Sequence, residues 1–262
     1  MSADLDLTAL DDEGRAALER LIVTLADSKR MMGIRYSDWM LGAPSLETGI
    51  STSAMAQDEW GHARLLYAML KDFGKDPVPM EHDRPASEYA SIAPLDEEMP
   101  DWAALVAVMV LADGAITAML RSFSVGTFAP ARSRVPKMLA EEDFHSSLGA
   151  AWYRRLAEAD GEALALLSGA TRAMLPALLA WVGADDAAMK QVVSAGVIGS
   201  AEERLAAFRN DMRDILALID VDVDSATGSD AWDEVRGRTP GQPADEAVAR
   251  ARGDLNRALL VE

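Results

Sequence analysis

Two of the three histidines in this chain follow a glutamate by three residues, in Glu59-Trp-Gly-His62 and in Glu142-Asp-Phe-His145. Positions i and i+3 share one face of a helix, so each pair can bring a carboxylate and an imidazole to one point. Two such helices facing each other supply much of the ligand set of the bundle proteins that hold two iron or manganese ions. Glutamate makes up 17 of 262 residues, so two of three histidines would carry this spacing in about one shuffle in a hundred. The competing reading is a pair of surface Glu–His contacts on unrelated helices.

Bundle sites of this kind draw one further carboxylate from each of two other helices. Between Trp102 and Leu120 the only charged residue is Asp113, set in an apolar run of small residues. A buried lone carboxylate costs several kcal/mol, so Asp113 needs a metal or a cation unless it sits at a solvent edge. The remaining helix offers no glutamate between Glu19 and Glu47, and its core-facing candidates are Asp27, Lys29 and Asp38. An ammonium cannot ligate a metal. On an antiparallel helix Lys29 would lie against Glu59, Asp113 or Glu142 and replace part of a metal's charge. Otherwise Lys29 is a solvated lysine, and Asp27 or a water completes the site.

Composition narrows the chemistry. Half of the residues are hydrophobic, aromatics are few, and Ala, Leu and Met dominate, which favours helices over strands in one large domain. The net charge of −18 argues against nucleic acid or an anionic membrane as partner. With no cysteine, disulfides, iron–sulfur clusters and thiolate zinc sites are excluded. His and carboxylate ligands then suit iron, with manganese as the alternative. The opening MSADLDLTALDDEGR lacks a signal-peptide pattern, which predicts a cytoplasmic protein. The apolar stretch around Asp113 is barely long enough to span a bilayer and carries a central acid, so a core helix is expected there.

Apolar periodicity predicts helices from Asp12 to Leu41 and from Pro44 to Phe73, joined by a short turn. A polar connection with five prolines runs from Lys75 to Pro100. Helices from Asp101 to Phe123 and from Ala131 to Ala159 follow, separated by a turn over Gly126 to Pro130. Shorter helices are expected at 161–183, 185–195 and 199–219, and a last one from Ala244 to Leu260. Two helix pairs split by one long connection form an all-α, ferritin-like four-helix bundle with additional C-terminal helices, in which the long loop is the crossover.

Four motifs carry a family resemblance: Gln57-Asp-Glu-Trp-Gly-His62, Leu111-Ala-Asp-Gly-Ala115, Glu141-Glu-Asp-Phe-His145 and Pro176-Ala-Leu-Leu-Ala-Trp-Val-Gly183. The chain resembles the phenylacetate catabolic oxygenase family, the ferritin-like subunits of ring-1,2-phenylacetyl-CoA epoxidase, from about Leu21 to Leu218 and more weakly in the tail. The resemblance implies two related subunits, one catalytic with a di-iron site and a CoA-ester pocket, one structural with lost ligands. Glu59, His62, Asp113, Glu142 and His145 match the catalytic subunit's metal positions, and Lys29 falls where that subunit has its first-helix glutamate. The turn Asp38-Trp-Met-Leu-Gly-Ala-Pro44 and the tail from Gly237 to Leu260 look more like the structural subunit.

An active site of this family would use zero to two iron ions, insert one oxygen atom into the ring of an aromatic acyl-CoA, and take electrons from a separate reductase. No Gly-x-Gly-x-x-Gly motif supplies a nucleotide site here. Met55, Met119, Met138 and Phe144 lie near the ligand rows and are candidates either for the pocket lining or for plain core packing. The alternatives are a non-catalytic scaffold that pairs with a catalytic paralogue or with itself, and a stand-alone ferritin-like metalloprotein acting on another substrate.

Overall fold

A computed structural model describes residues 4–159 and 161–259, and among these the regular elements are all helices apart from one isolated bridge between Asp233 and Arg238. The long helices are α1 (Asp12–Asp38), α2 (Leu46–Tyr67) and α6 (Ala129–Ala157), together with the continuous helix Trp102–Val125. That continuous helix consists of α4 (Trp102–Ala107), a π turn (Val108–Ala112) and α5 (Asp113–Val125). Asp11, Ser45 and Asp101 cap α1, α2 and α4 by accepting from the backbone N–H of Gly14, Thr48 and Ala104, which satisfies donors that a helix start leaves open. The four-helix core with one crossover is the ferritin-like arrangement.

The crossover is shorter on loop than the sequence indicates. It contains α3 (Pro77–His82) and two single 3-10 turns (Ala86–Glu88 and Ala93–Leu95). The second helix tightens into a 3-10 segment at Ala68–Phe73 rather than continuing as α-helix. The fourth begins within the expected turn, because Pro130 sits in its first turn, where a missing N–H costs nothing. After α7 (Glu162–Val182), α8 (Ala187–Ser194) and α9 (Ala201–Ala217), the last helix α10 runs only from Asp245 to Arg252. Gly253, at φ 73°, ends it, and a 3-10 segment Asp254–Leu259 follows. Leu260, the expected last residue of that helix, lies outside the described residues.

Helix α1 is the spine. Every residue from Leu21 to Tyr36 is buried, because α2, α8, α10 and the crossover cover it on several sides. Its polar residues must therefore find partners inside the protein. Arg35 donates to the Leu95 and Asp96 carbonyls at 3.0 Å each. Arg30 pairs with Glu81 and donates to the Ala251 carbonyl of α10. The apolar helix Trp102–Val125 is long enough to cross a membrane, but here nearly all of it is enclosed by the other helices. Its π turn lies against Gly149 of α6, where a Cβ would come within 3.3 Å of the Met109 carbonyl, so the glycine lets the two helices approach closely.

The C-terminal segment is fastened to the crossover by a buried ion pair. Arg238 holds Asp96 through both oxygens, one contact being 3.1 Å. Arg238→Met would leave the Asp96 carboxylate without its partner. We expect a loss of about 3–5 kcal/mol of unfolding free energy in a urea titration, against less than about 0.5 kcal/mol for the exposed control Lys190→Met.

Candidate metal centre

All four long helices contribute one side chain or more to a single buried cluster. From α1, the Lys29 ammonium reaches Asp113 Oδ1 at 2.8 Å, Glu142 Oε1 at 2.5 Å and Glu59 at 3.0–3.1 Å. Glu59 comes from α2, Asp113 from the first turn of α5 and Glu142 from α6, and all are buried. Tyr36, two turns after Lys29 on the same face of α1, donates its hydroxyl to Asp113 Oδ2 at 3.0 Å. The reading of Lys29 as a solvated lysine therefore fails. Asp27 and Asp38 do not join the cluster. Asp27 accepts from Arg84, Tyr67 and the Ala90 N–H, and Asp38 pairs with Arg35 and Arg250.

The two histidines face each other across the cluster, with ring centroids 6.4 Å apart. His62 Nδ1 lies 3.1 Å from Glu142 Oε1, and His145 Nδ1 lies 3.2–3.5 Å from Glu59, Glu142 and Asp113. These contacts are close but poorly aligned. Both Nδ1 atoms, Glu59 Oε2 and Glu142 Oε2 are buried without a hydrogen-bond partner. The outward nitrogens are held. Glu141 Oε2 lies 2.8 Å from His62 Nε2, and Asp58 Oδ2 lies 3.4 Å from His145 Nε2. Each helix thus supports the other's histidine, since Asp58 is on α2 and Glu141 on α6. A carboxylate behind an imidazole fixes its tautomer and its direction, the usual support of a metal-ligating histidine.

Sequence reasoning did not single out Asp58, Glu141 or Tyr36. The signal was present, because an acid directly precedes each paired glutamate, in Asp58-Glu59 and Glu141-Glu142. Tyr36 follows Lys29 by seven residues and so falls on the same face of α1.

Electrostatics balance the cluster internally. Burial would lower the Lys29 ammonium, but Asp113, Glu142 and Glu59 more than offset it and hold it well above its ordinary value. Burial likewise opposes the His145 cation, yet contacts with Asp113, Glu142 and Glu59 push it up to about 12. Burial raises Glu59 to about 7, with Lys29 opposing and the neighbouring carboxylates adding to the rise. Glu142 feels the same desolvation, but Lys29 and the two histidines keep it well below the usual carboxylate range.

Do these residues fit a metal? One donor atom each from Glu59, Asp113, Glu142 and His145 lies within 4.8 Å of the others, and the unpartnered oxygens and nitrogens suit iron or manganese. Two metals do not fit with Lys29 as it stands. Its ammonium contacts all three carboxylates at 2.5–3.1 Å, so its positive charge and volume fill the place that bridging carboxylates would give to a second ion.

Of the two readings of Met55, Met119, Met138 and Phe144, core packing holds for the three methionines, which are buried, while Phe144 is half exposed, and none of the four lines the cavity at the cluster. A cavity of about 570 Å³ does reach the cluster, from between α5, α6 and α9. Asp113 and Glu142 stand in its wall with Met109, Val110, Met212 and Ile215, and Arg121 and Arg154 are the basic residues that border it.

A buried carboxylate–imidazole cluster at the centre of a ferritin-like bundle is the kind of donor set from which metal-binding members of this fold draw their ligands. The chain belongs to the phenylacetic acid catabolic protein family, whose model matches residues 1–247. That family belongs to a multicomponent oxygenase, which links the chain to phenylacetate catabolism. No curated protein sequence gives a significant match.

The raised His145 value has a pH consequence. Its proton adds stability that is fully present below its unfolded value near 6.5 and is lost as pH rises towards about 12. Nitrogen NMR of labelled histidine is expected to show the His145 ring still doubly protonated at pH 8 in metal-free protein. A ring that titrates near 6.5 would contradict the charge pattern described here.

Proposed function

We propose that this chain is a ferritin-like subunit of a phenylacetyl-CoA epoxidase-type oxygenase, serving as structural partner to a catalytic paralogue. The observation that carries this reading is the Lys29 ammonium in contact with Glu59, Asp113 and Glu142 at once. Three interior carboxylates a few Å apart repel by several kcal/mol even at an effective dielectric near ~20. A metal pair would relieve that repulsion in a catalytic subunit. Here a lysine relieves it, and the bundle closes around a salt-bridge cluster.

In this reading the paralogue carries the oxygen chemistry and receives electrons from the separate reductase, and the complex is cytoplasmic. The five residues Glu59, His62, Asp113, Glu142 and His145 keep the chemistry of a ligand set, with room for at most one ion beside Lys29. A catalytic reading draws support from one feature, the cavity that borders Asp113 and Glu142, whose mixed wall sets Met109, Val110, Met212 and Ile215 beside Arg154 and an Arg121–Asp211 ion pair. We rank it second because Lys29 stands between that cavity and a working metal pair.

Metal analysis of protein from iron-replete culture tests the choice. The wild type is expected to carry no iron or one ion per chain, and Lys29→Glu to carry more, rising towards two. A tagged chain is expected to retain a second ferritin-like chain on co-expression. Two irons per wild-type chain, with oxygenation of phenylacetyl-CoA by this chain and a reductase alone, would sink the structural reading.

A further inference from the structure

We infer that this chain holds a single structural zinc ion between the two Glu-x-x-His pairs of α2 and α6, with Asp113 left out of its ligand set. This rests on the space for one ion that the structural-subunit reading leaves beside Lys29. Helix α1 already occupies part of the cluster. Lys29 uses its three N–H bonds on Glu59 Oε1, Asp113 Oδ1 and Glu142 Oε1. Tyr36 donates to Asp113 Oδ2, so both oxygens of Asp113 are engaged. Four buried donor atoms of the cluster stay without a hydrogen-bond partner: Glu59 Oε2, His62 Nδ1, Glu142 Oε2 and His145 Nδ1. All four belong to α2 and α6. One orphaned buried polar atom is costly, and four around one point call for an occupant that satisfies them together.

The spacing of these atoms suits one small ion. Within the pairs, Glu142 Oε2 is 3.3 Å from His145 Nδ1, and Glu59 Oε2 is 4.0 Å from His62 Nδ1. Across the pairs, each Nδ1 lies 3.1–3.2 Å from the glutamate of the other helix. Four ligands at about 2.0–2.2 Å round a tetrahedral zinc stand about 3.3–3.6 Å from one another. Asp113 also has a donor atom within 4.8 Å of Glu59, Glu142 and His145. Nearness does not make it a ligand while Lys29 holds one of its oxygens and Tyr36 the other.

Charge and ligand type agree on the ion. Ionised Glu59, Asp113 and Glu142 carry three negative charges. One divalent ion and the Lys29 ammonium carry three positive ones, with both imidazoles neutral as ligands must be. A second divalent ion would leave the buried cluster with excess positive charge. Two imidazoles and two carboxylates, all four side chains buried, fit the closed four-coordinate site of a structural zinc better than the open site of a catalytic metal. Glu141 and Asp58 stand behind the two rings and hold them in direction. The ion would clamp α2 to α6 and add its binding energy to folding.

Zinc X-ray absorption on the full-length chain tests the site. Protein stripped with a chelator and reloaded with zinc chloride is expected to hold one ion per chain, with four near neighbours at about 2.0–2.2 Å, two of them imidazole nitrogens. His62→Ala and His145→Ala should each weaken zinc binding by more than the about 10–100-fold that loss of a supporting residue costs. Lys29→Met combined with Asp113→Asn replaces an ion pair by a neutral pair and leaves the charge of the cluster unchanged. That double variant should keep its zinc affinity within about tenfold. Helical circular dichroism separates loss of zinc from loss of fold, and if the variants do not fold, the neighbour count of the wild type decides alone. One imidazole per zinc, a six-coordinate ion, or a folded double variant that no longer binds zinc would overturn the inference. A wild type that binds no zinc and no iron would overturn it too, and would leave the structural-subunit reading standing. Two irons per chain would sink both.

Discussion

The Lys29 ammonium lies at the centre of the bundle with three carboxylates around it, and each of the four long helices takes part in that contact. A buried lysine or a buried acid alone is expensive, and breaking such a cluster leaves charge without compensation. The cluster therefore constrains the packing of α1, α2, α5 and α6 at one level of the bundle. It also sets the rotation of α1, because the face that presents Lys29 presents Tyr36 to Asp113 as well. The rest of α1 must then bury whatever lies on its other faces.

That burial explains the remainder of the chain. Asp27, Arg30 and Arg35 point away from the cluster, and each needs a partner inside the protein. Arg84 and the Ala90 N–H of the crossover serve Asp27, Glu81 and the Ala251 carbonyl serve Arg30, and the Leu95 and Asp96 carbonyls serve Arg35. The crossover and the C-terminal segment are thus the second half of the polar accounting of α1. Asp96 completes the chain of contacts through Arg238, which anchors the tail on the crossover. In this way the central charge cluster and the outer wrapping are linked by one helix.

The support for the histidines bears on function. Asp58 and Glu141 each hold an imidazole by its outer nitrogen across the α2–α6 contact, an arrangement that serves ligand orientation. This orientation machinery stands beside five donor side chains, with a cation, Lys29, among them on the first helix. A metal pair and a lysine solve the same electrostatic problem, the neutralisation of interior carboxylates. Only the metal pair supplies redox chemistry.

Helix identity and order were legible in the sequence, because apolar periodicity and capping residues such as Ser45 and Asp101 act locally. The Glu-x-x-His pairs and the lone acid of the apolar helix were legible for the same reason: spacing on a helix fixes the face. Helix ends were less so. The shortening of the last helix at Gly253 and the 3-10 tightening after Tyr67 depend on how the chain packs there. The destination of each α1 side chain was decided by tertiary structure alone. Asp27, Lys29 and Asp38 were all core-facing candidates, with Lys29 the one expected against the other carboxylates, and their roles separated only when Arg84, Glu142 and Arg250 arrived from distant parts of the chain. Helical periodicity says which residues share a face. Which face turns to the other carboxylates is a balance of desolvation and pairing that exists only once all four helices are packed.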